Sequence, residues 1–309
     1  MFESIISNMQ WVFSGIGVLV VSLFFALPRK GKKDDAEYHK VDIQVSHNSV
    51  PPQKLINSSE LKTETQKISE RLYKTLELMN EGGTEHSPLT IAKLAKNMGL
   101  QSVSSLENIF TGKEEPTFQF LTDFCQTFGV NEEWLTEGKN YPFHNDSPHK
   151  SNPLDYFEYI QKINPKAIYF IRANTDISQA FVMLQLSNLK FQILKQDWHI
   201  SDHIGGAGEW QLVNFYRLIR KLKDHGFATK GSGRTLEEEA YYSLYMGKEF
   251  PTKFVGMRFS NDTWWDDFTD VYNKYFTAEC YTQAYGNSFV KAQKIIQYNL
   301  DHNELYKAQ

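Results

Sequence analysis

Cysteine is scarce in this chain, and basic residues are not in excess. The 309 residues include only 2 cysteines, Cys125 and Cys280, which stand far apart. They predict two reduced thiols, and they exclude a disulfide framework or a cysteine-based zinc site. Lys and Arg number 33 against 37 Asp and Glu, for a formal net charge of −4, so the chain is outside the strongly basic class of nucleic-acid binders. Internal repeats and low-complexity tracts are also absent.

Apolar residues are abundant enough to form packed cores. The composition is 41% hydrophobic, 23% charged and 14% aromatic, which excludes a globally disordered chain. A length of 309 residues predicts about two domains of 100–200 residues each.

Residues 11–27 form a nearly uninterrupted apolar run near the N-terminus. As a helix the run spans about 26 Å, close to the hydrocarbon core of about 30 Å. The only charge before it is Glu3, and four basic residues follow it: Arg29, Lys30, Lys32 and Lys33. This order is the reverse of a signal peptide and predicts an uncleaved single-span anchor in the cell inner membrane, with the later domains in the cytoplasm. A buried core helix and a signal peptide are the alternatives. We assign 1–33 to the anchor and 34–57 to a linker.

A run of short amphipathic helices follows, and we assign residues 58–143 to a helical domain. The first helix is predicted over 58–79, because its apolar residues recur at helical spacing. Four further helices are predicted from their opening residues, which are Thr90, Ser102, Thr117 and the turn before Trp134. Each is punctuated by a glycine: Gly99, Gly112, Gly129 and Gly138.

Over residues 58–139 this pattern resembles the helix-turn-helix domain of phage-repressor-like (Cro/CI, XRE-type) regulators. Leu94, Ala95 and Gly99 match the second helix and turn, and Val103, Leu106 and Gly112 match the recognition helix and its stop. The family usually has a Glu two residues before that glycine, whereas Phe110 stands here. The resemblance implies an all-α repressor-like fold.

The resemblance also implies DNA binding, because the third helix of that family enters the major groove. The positions that match base- or phosphate-contacting residues are Gln101, Ser102, Ser104, Ser105, Asn108, Lys113, Lys93 and Lys96.

Charge favours a second interpretation of the same helices. Residues 58–140 carry 8 basic and 13 acidic side chains, a difference of −5, and the recognition helix has no Lys or Arg. Because phosphate neutralisation supplies most of the non-specific affinity for DNA, a repressor-like fold that contacts protein is a direct competitor.

Residues 153–309 predict an α+β domain that matches no family pattern. Three β-rich runs, 167–172, 180–186 and 191–194, indicate a small antiparallel sheet. Four helices are predicted after them, over 209–225, 236–246, 264–275 and 288–300.

Three features of this domain are candidates for chemistry. His199, Asp202 and His203, with the glycines that follow, form a weak pattern for a metal or phosphate site. A basic helix face could bind an anion; it comprises Arg217, Arg220 and Lys221, with Lys223, Lys230 and Arg234 nearby. Asp266 and Asp270 share a predicted helix face, as paired carboxylates would. The alternative for the first feature is a polar loop without a ligand, for the second a solvated helix face, and for the third an acidic turn at the start of a helix.

The predicted fold class is therefore a multi-domain protein with one transmembrane helix, an all-α repressor-like domain and a C-terminal α+β domain. The leading functional hypothesis is a membrane-anchored, DNA-binding bacterial regulator whose C-terminal domain senses a ligand or self-associates. The second is a membrane-tethered adaptor that binds protein. The third is an enzyme, or a metal or phosphate binder, at the 197–208 loop. No complete catalytic motif occurs, and no cofactor is predicted.

Overall fold

The computed structural model describes residues 62–81, 88–144, 147–255 and 262–307. All of these residues belong to one compact unit, Ser59–Gln309. Three layers make up this unit: a first set of helices, a four-stranded sheet and a second set of helices.

The first set consists of five helices connected by short turns. Their bounds are α1 Glu64–Glu81, α2 Ile91–Asn97, α3 Ser104–Phe110, α4 Phe118–Phe128 and α5 Glu132–Glu137. Side chains of Thr90, Thr117 and Asn131 accept hydrogen bonds from the first turns of α2, α4 and α5. Ser102 does not cap α3, because Val103 occupies the cap position in a helical conformation.

The sheet is mixed. Its strands are β1 Ala167–Ala173, β2 Gln179–Gln185, β3 Phe191–His199 and β4 Gly231–Leu236, in the order β3-β2-β1-β4. The pairs β1–β2 and β2–β3 are antiparallel, whereas β4 runs parallel to β1. The sequence predicts the first three strands and misses β4. The predicted all-antiparallel sheet is therefore wrong.

The remaining helices lie before, between and after the strands. Helix α6 Tyr156–Ile163 precedes β1, and the 19-residue α7 Gly206–Asp224 connects β3 to β4. After β4 come α8 Glu238–Tyr245, α9 Thr252–Val255, α10 Trp264–Asp267, α11 Ala278–Tyr285, α12 Asn287–His302 and α13 Glu304–Lys307. The predicted helix over 264–275 is thus reduced to the four residues of α10.

Both faces of the sheet are buried, because successive side chains of a strand point to opposite sides. Phe170 and Val182 are partners on one face, and they pack against α6, α7, α10, α11 and α12. Ile171 and Phe181 are partners on the other face, and they share a continuous core with α1–α5, α8 and α9. The five N-terminal helices therefore use the sheet as part of their own core.

Contacts at the end of α5 fix the first helices to the rest of the unit. Phe143 is buried, its ring centroid lies 4.9 Å from that of Phe250, and its N–H donates to the carbonyl of Gly247 over 2.9 Å. Gly247 has φ +75, and a Cβ there would lie 2.3 Å from the amide nitrogen of His144. The close approach of the two segments therefore requires glycine at this position.

This packing corrects the predicted fold class. The helices of 62–143 occur near their predicted positions, but they do not form a separate all-α repressor domain. Their apolar side chains share a hydrophobic core with Met183 and Phe191 from the sheet and with Tyr241 from α8. A domain assembled from layers buries each apolar face against its neighbour, and here that neighbour is the sheet.

The predicted membrane localisation is also corrected. Among the described residues, no helix combines the length and the apolar composition that a bilayer span requires. The single-pass inner-membrane assignment therefore has no support in the structure. The segment on which it rests, 11–27, lies outside the described residues, as does the predicted linker 34–57.

Candidate functional site

The predicted recognition surface lies on and around α3, and it is open to solvent. Most of the side chains that the resemblance assigns to DNA contact are exposed: Gln101, Ser102, Ser104, Ser105, Asn108, Lys113 and Lys96. Lys93 is half-buried, and its ammonium donates to the carbonyl of Pro88 over 2.8 Å. The α3 surface is therefore accessible but contains little positive charge.

Acidic groups surround the same surface. The loop after α3 folds back, so that the N–H groups of Lys113 and Glu114 both donate to the carbonyl of Asn108, over 2.9 and 3.2 Å. The hydroxyl of Ser105 lies 3.4 Å from the carboxylate of Glu114, and Glu107 is exposed on the helix itself. A carboxylate at a predicted base-contacting position opposes DNA phosphate. The DNA-binding and regulator assignments are accordingly unsupported, and we withdraw them.

A large apolar side chain is exposed four residues after Glu114 in the chain. Phe118, the first residue of α4, is 85% exposed, whereas its neighbours Leu121 and Phe124 are buried. An isolated exposed apolar side chain needs no explanation, but one that closely follows an accessible helix in the chain is a candidate for a contact surface.

The 197–208 loop does not assemble a metal site. Asp202 is bound by the ammonium of Lys291 over 2.9 Å, and this hydrogen bond lowers the pKa of the Asp202 carboxyl. His203 Nε2 lies 3.9 Å from that carboxylate, and His199 is exposed at the end of β3. No group of three or more His, Cys, Asp or Glu side chains suited to a metal occurs within the described ranges.

The predicted basic face divides into structural and accessible residues. Lys223 binds Asp266, Lys230 donates to Asn164 and Pro165, and buried Arg234 donates to the carbonyls of Gly233 and Val255. The accessible residues line a groove of about 420 Å³ with two tyrosines: Arg217, Arg220, Lys221, Tyr216 and Tyr306. The guanidinium of Arg217 lies over the Tyr306 ring at 5.6 Å.

Asp266 and Asp270 do not form an acid–base pair. Asp270 accepts hydrogen bonds from the N–H groups of Lys274 and Tyr275 and from the hydroxyl of Tyr281, over 2.8, 3.0 and 2.8 Å. Burial alone would raise the pKa of this carboxyl, but the hydrogen bonds outweigh burial and lower it. Asp270 therefore organises the loop that follows α10.

The cysteines are separate and differ in environment. Cys125 is buried in α4 at the edge of a cleft of about 610 Å³, which lies between α4, α5 and the beginning of β3. Burial raises the pKa of its thiol to about 12, so the nucleophilic thiolate is not available at neutral pH. Cys280 is exposed in α11.

Sequence reasoning missed the most unusual polar residue of the structure, Arg172. It lies near the carboxyl end of β1 and is only 5% exposed. Among the described residues, its Nε and Nη1 atoms have no hydrogen-bond partner and no carboxylate lies within ion-pair distance. The guanidinium instead lies over the rings of Tyr285 and Phe289, at 5.2 and 5.8 Å.

Neighbouring carboxylates are already bound to other groups. Asp262 accepts from the N–H of Trp264 over 2.9 Å and from the hydroxyl of Thr235, and Asp267 accepts from Tyr285 over 2.6 Å. Burial lowers the pKa of Arg172, and the charge of Asp262 acts in the opposite direction. The sequence signal was weak: Arg172 ends the apolar run 167–171, where a charged residue predicts a strand end.

Comparison with known proteins gives no match: no family model, no curated protein and no solved structure is significantly similar to this chain. The resemblance to repressor-like regulators therefore stays a prediction.

Proposed function

We propose that this protein is a binding protein and that the surface around α3 docks another protein. We define the α3 surface as Gln101, Ser104, Ser105 and Asn108 together with Glu107, Glu114 and Phe118. The observation that carries the proposal is the 85% exposure of Phe118, which follows Glu114 by four residues, together with the exposed and partly acidic side chains of α3. Aromatic side chains are enriched where proteins bind one another.

The charge of the surface indicates the chemistry of the partner. Glu107 and Glu114 lie on the surface, Glu115 is exposed in the adjoining loop, and α3 itself has no basic residue. A complementary partner presents basic side chains around an apolar pocket that accepts Phe118. Nucleic acid has the opposite charge requirement and fits this surface poorly.

Rigid support of α3 favours a docking role. Leu106, Ile109 and Phe110 on its inner side are buried in the core shared with the sheet. The hydroxyl of buried Ser69 on α1 donates to the carbonyl of Ile109 over 2.7 Å. A surface that is ordered before binding loses little conformational entropy when the partner arrives.

Site-specific photo-crosslinking of the full chain in cells tests the proposal. A benzophenone amino acid is placed at Asn108 on the α3 surface, or at Tyr275, which is 81% exposed elsewhere, as the control position. We expect a discrete polypeptide adduct from position 108 only. The adduct must weaken in a Phe118→Ala chain and persist in a chain with Tyr242→Ala, another exposed aromatic.

Affinity measurements with the purified partner complete the test. We expect Phe118→Ala to weaken binding at least about 10-fold, the effect of a central aromatic contact. Glu114→Lys should slow association and reduce its dependence on salt. Equal affinity of wild type and Phe118→Ala, or tight duplex-DNA binding that weakens steeply with salt, would overturn the proposal.

A further inference from the structure

The groove beside α7 combines accessible positive charges with tyrosine rings. It has a volume of about 420 Å³ and is lined by residues of α7, α12, α13 and the turn Pro153–Asp155. We propose that this groove binds a small phosphate monoester with an aromatic organic part, such as a nucleoside monophosphate. The groove shares no residue with the α3 surface, so the inference is independent of the protein-docking proposal.

Two cations of the groove are available to a ligand. Arg220 and Lys221 are exposed, and within the described part of the chain neither side chain forms an ion pair or a hydrogen bond. Asp224 follows them by one helical turn and lines the same groove, yet its carboxylate pairs with neither. The ammonium of Lys221 lies 4.4 Å from the centroid of the Phe157 ring, which compensates its charge only in part.

The charge of the groove matches a phosphate monoester. Among the described residues that line it, three are cationic and one is acidic, a difference of +2. The third cation, Arg217, lies one turn before Lys221 on the same helix face, so the positive charges are close together. A phosphate monoester carries about −1.5 to −2 charges at neutral pH, and a guanidinium can bind two of its oxygens at once.

The two tyrosines of the groove supply hydroxyl donors and rings. Burial raises the pKa of the Tyr216 and Tyr306 phenols, so both O–H groups stay protonated at neutral pH and can donate to a phosphate oxygen. The guanidinium of Arg217 donates to the side-chain oxygen of Asn214 over 3.2 Å and lies over the Tyr306 ring at 5.6 Å. Arg217 therefore holds Tyr306 in place beside the groove.

The size and the apolar lining of the groove indicate a ligand with an organic part. Leu154 and Leu300 line it with half-buried side chains, in addition to the tyrosines. A volume of about 420 Å³ is within the range of about 300–1,000 Å³ for small-molecule sites, which combine apolar and aromatic walls with a few polar groups. Aromatic bases stack on tyrosine rings, which favours an aromatic organic part.

Isothermal titration calorimetry of the full chain tests the proposal at constant ionic strength. The probes are the monophosphates of adenosine, guanosine, cytidine and uridine, with ribose 5-phosphate and the free nucleosides as the fragments. We expect saturable one-site binding of at least one monophosphate, with its nucleoside and ribose 5-phosphate at least about 10-fold weaker. No saturable binding of any monophosphate, or equal affinity for either fragment, would overturn the proposal.

Exposed side chains provide matched variants that leave the core intact. Arg220→Gln and Lys221→Gln should each weaken binding about 10-fold, the effect of one lost hydrogen bond to a charged group. Lys96→Gln, an exposed change on α2, should have no effect. Asp224→Asn removes the carboxylate of the groove and should strengthen binding about 2–5-fold, which a partly unfolded variant would not do.

Two results with these variants contradict the proposal. One is an affinity that Arg220→Gln and Lys221→Gln leave unchanged. The other is an equal loss in Lys96→Gln, which would indicate non-specific attraction. Co-sedimentation with vesicles that contain phosphatidic acid completes the comparison. Binding to these vesicles by a protein that binds no nucleoside monophosphate would assign the groove to a membrane surface and overturn the proposal.

Discussion

Replacing Phe143 by Ala tests whether the N-terminal helices and the sheet share one core. Phe143 follows α5 in the chain, yet its ring packs against Phe250, which in turn lies 5.7 Å from Phe191 of β3. The side chain is 4% exposed, so its removal leaves a cavity between the two parts of the unit.

The expected loss is about 3–5 kcal/mol, the usual cost of a buried Phe→Ala change. Because the free energy of unfolding of a single domain is about 5–15 kcal/mol, this loss is a large fraction of the total stability. The loss must fall on the whole unit: if the core is continuous, the helices and the sheet unfold together at a lower denaturant concentration.

Urea unfolding followed by two probes measures this. Helical circular dichroism reports on both sets of helices, whereas tryptophan fluorescence is weighted toward the buried Trp198 of β3 and Trp264 of α10. We expect coincident transitions that shift together in Phe143→Ala. The control Phe118→Ala removes an exposed ring and should change the stability by less than about 0.5 kcal/mol. Two separate transitions, with only one sensitive to Phe143, would refute the shared core.

Three further predictions concern single residues. Asp270→Asn should destabilise the protein near neutral pH. Hydrogen bonds lower the folded-state pKa of this carboxyl below its ordinary 3.8, so the ionised group stabilises the folded wild type above that pH. This contribution to the free energy of unfolding should be lost as the pH falls through and below about 4, which unfolding measurements at a series of acid pH values would show. Gly247→Ala should cost more than the ~1 kcal/mol expected of an unfavourable φ alone, since the added Cβ meets the His144 backbone; thermal unfolding measures this. A thiol reagent should modify Cys280 quickly and Cys125 only after unfolding, a difference that mass spectrometry resolves.

Local signals explain which elements the sequence predicts well. Thr117 caps α4 through its side chain, and Gly129 ends the helix in a left-handed conformation, as residues of these types do. Strands β1 and β2 follow their apolar runs closely, whereas β3 continues for five residues beyond the predicted run 191–194. By contrast β4, with the sequence GSGRTL, has little strand propensity and is held by its pairing with β1.

The shared core depends on contacts that are distant in sequence. The four consecutive apolar residues Phe181–Leu184 indicate a strand that is covered on both faces, and all four are buried. The run does not identify the elements that cover the two faces. The charge pattern around α3 predicts its acidic surroundings correctly, whereas the fold-back of Glu114 onto Ser105 is a tertiary feature. Arg172 escapes prediction because the absence of a partner is visible only after folding.

The contact between the rings of Phe143 and Phe250 also has a consequence for the folding of the nascent chain. The first helices leave the ribosome before the residues that cover them, and about a hundred further residues must follow. At about 5–20 residues per second, Phe143 waits about 5–20 s for Phe250. During that interval the nascent helices expose aromatic side chains that bind chaperones or aggregate, so the yield of folded protein should depend on how the cell protects this intermediate.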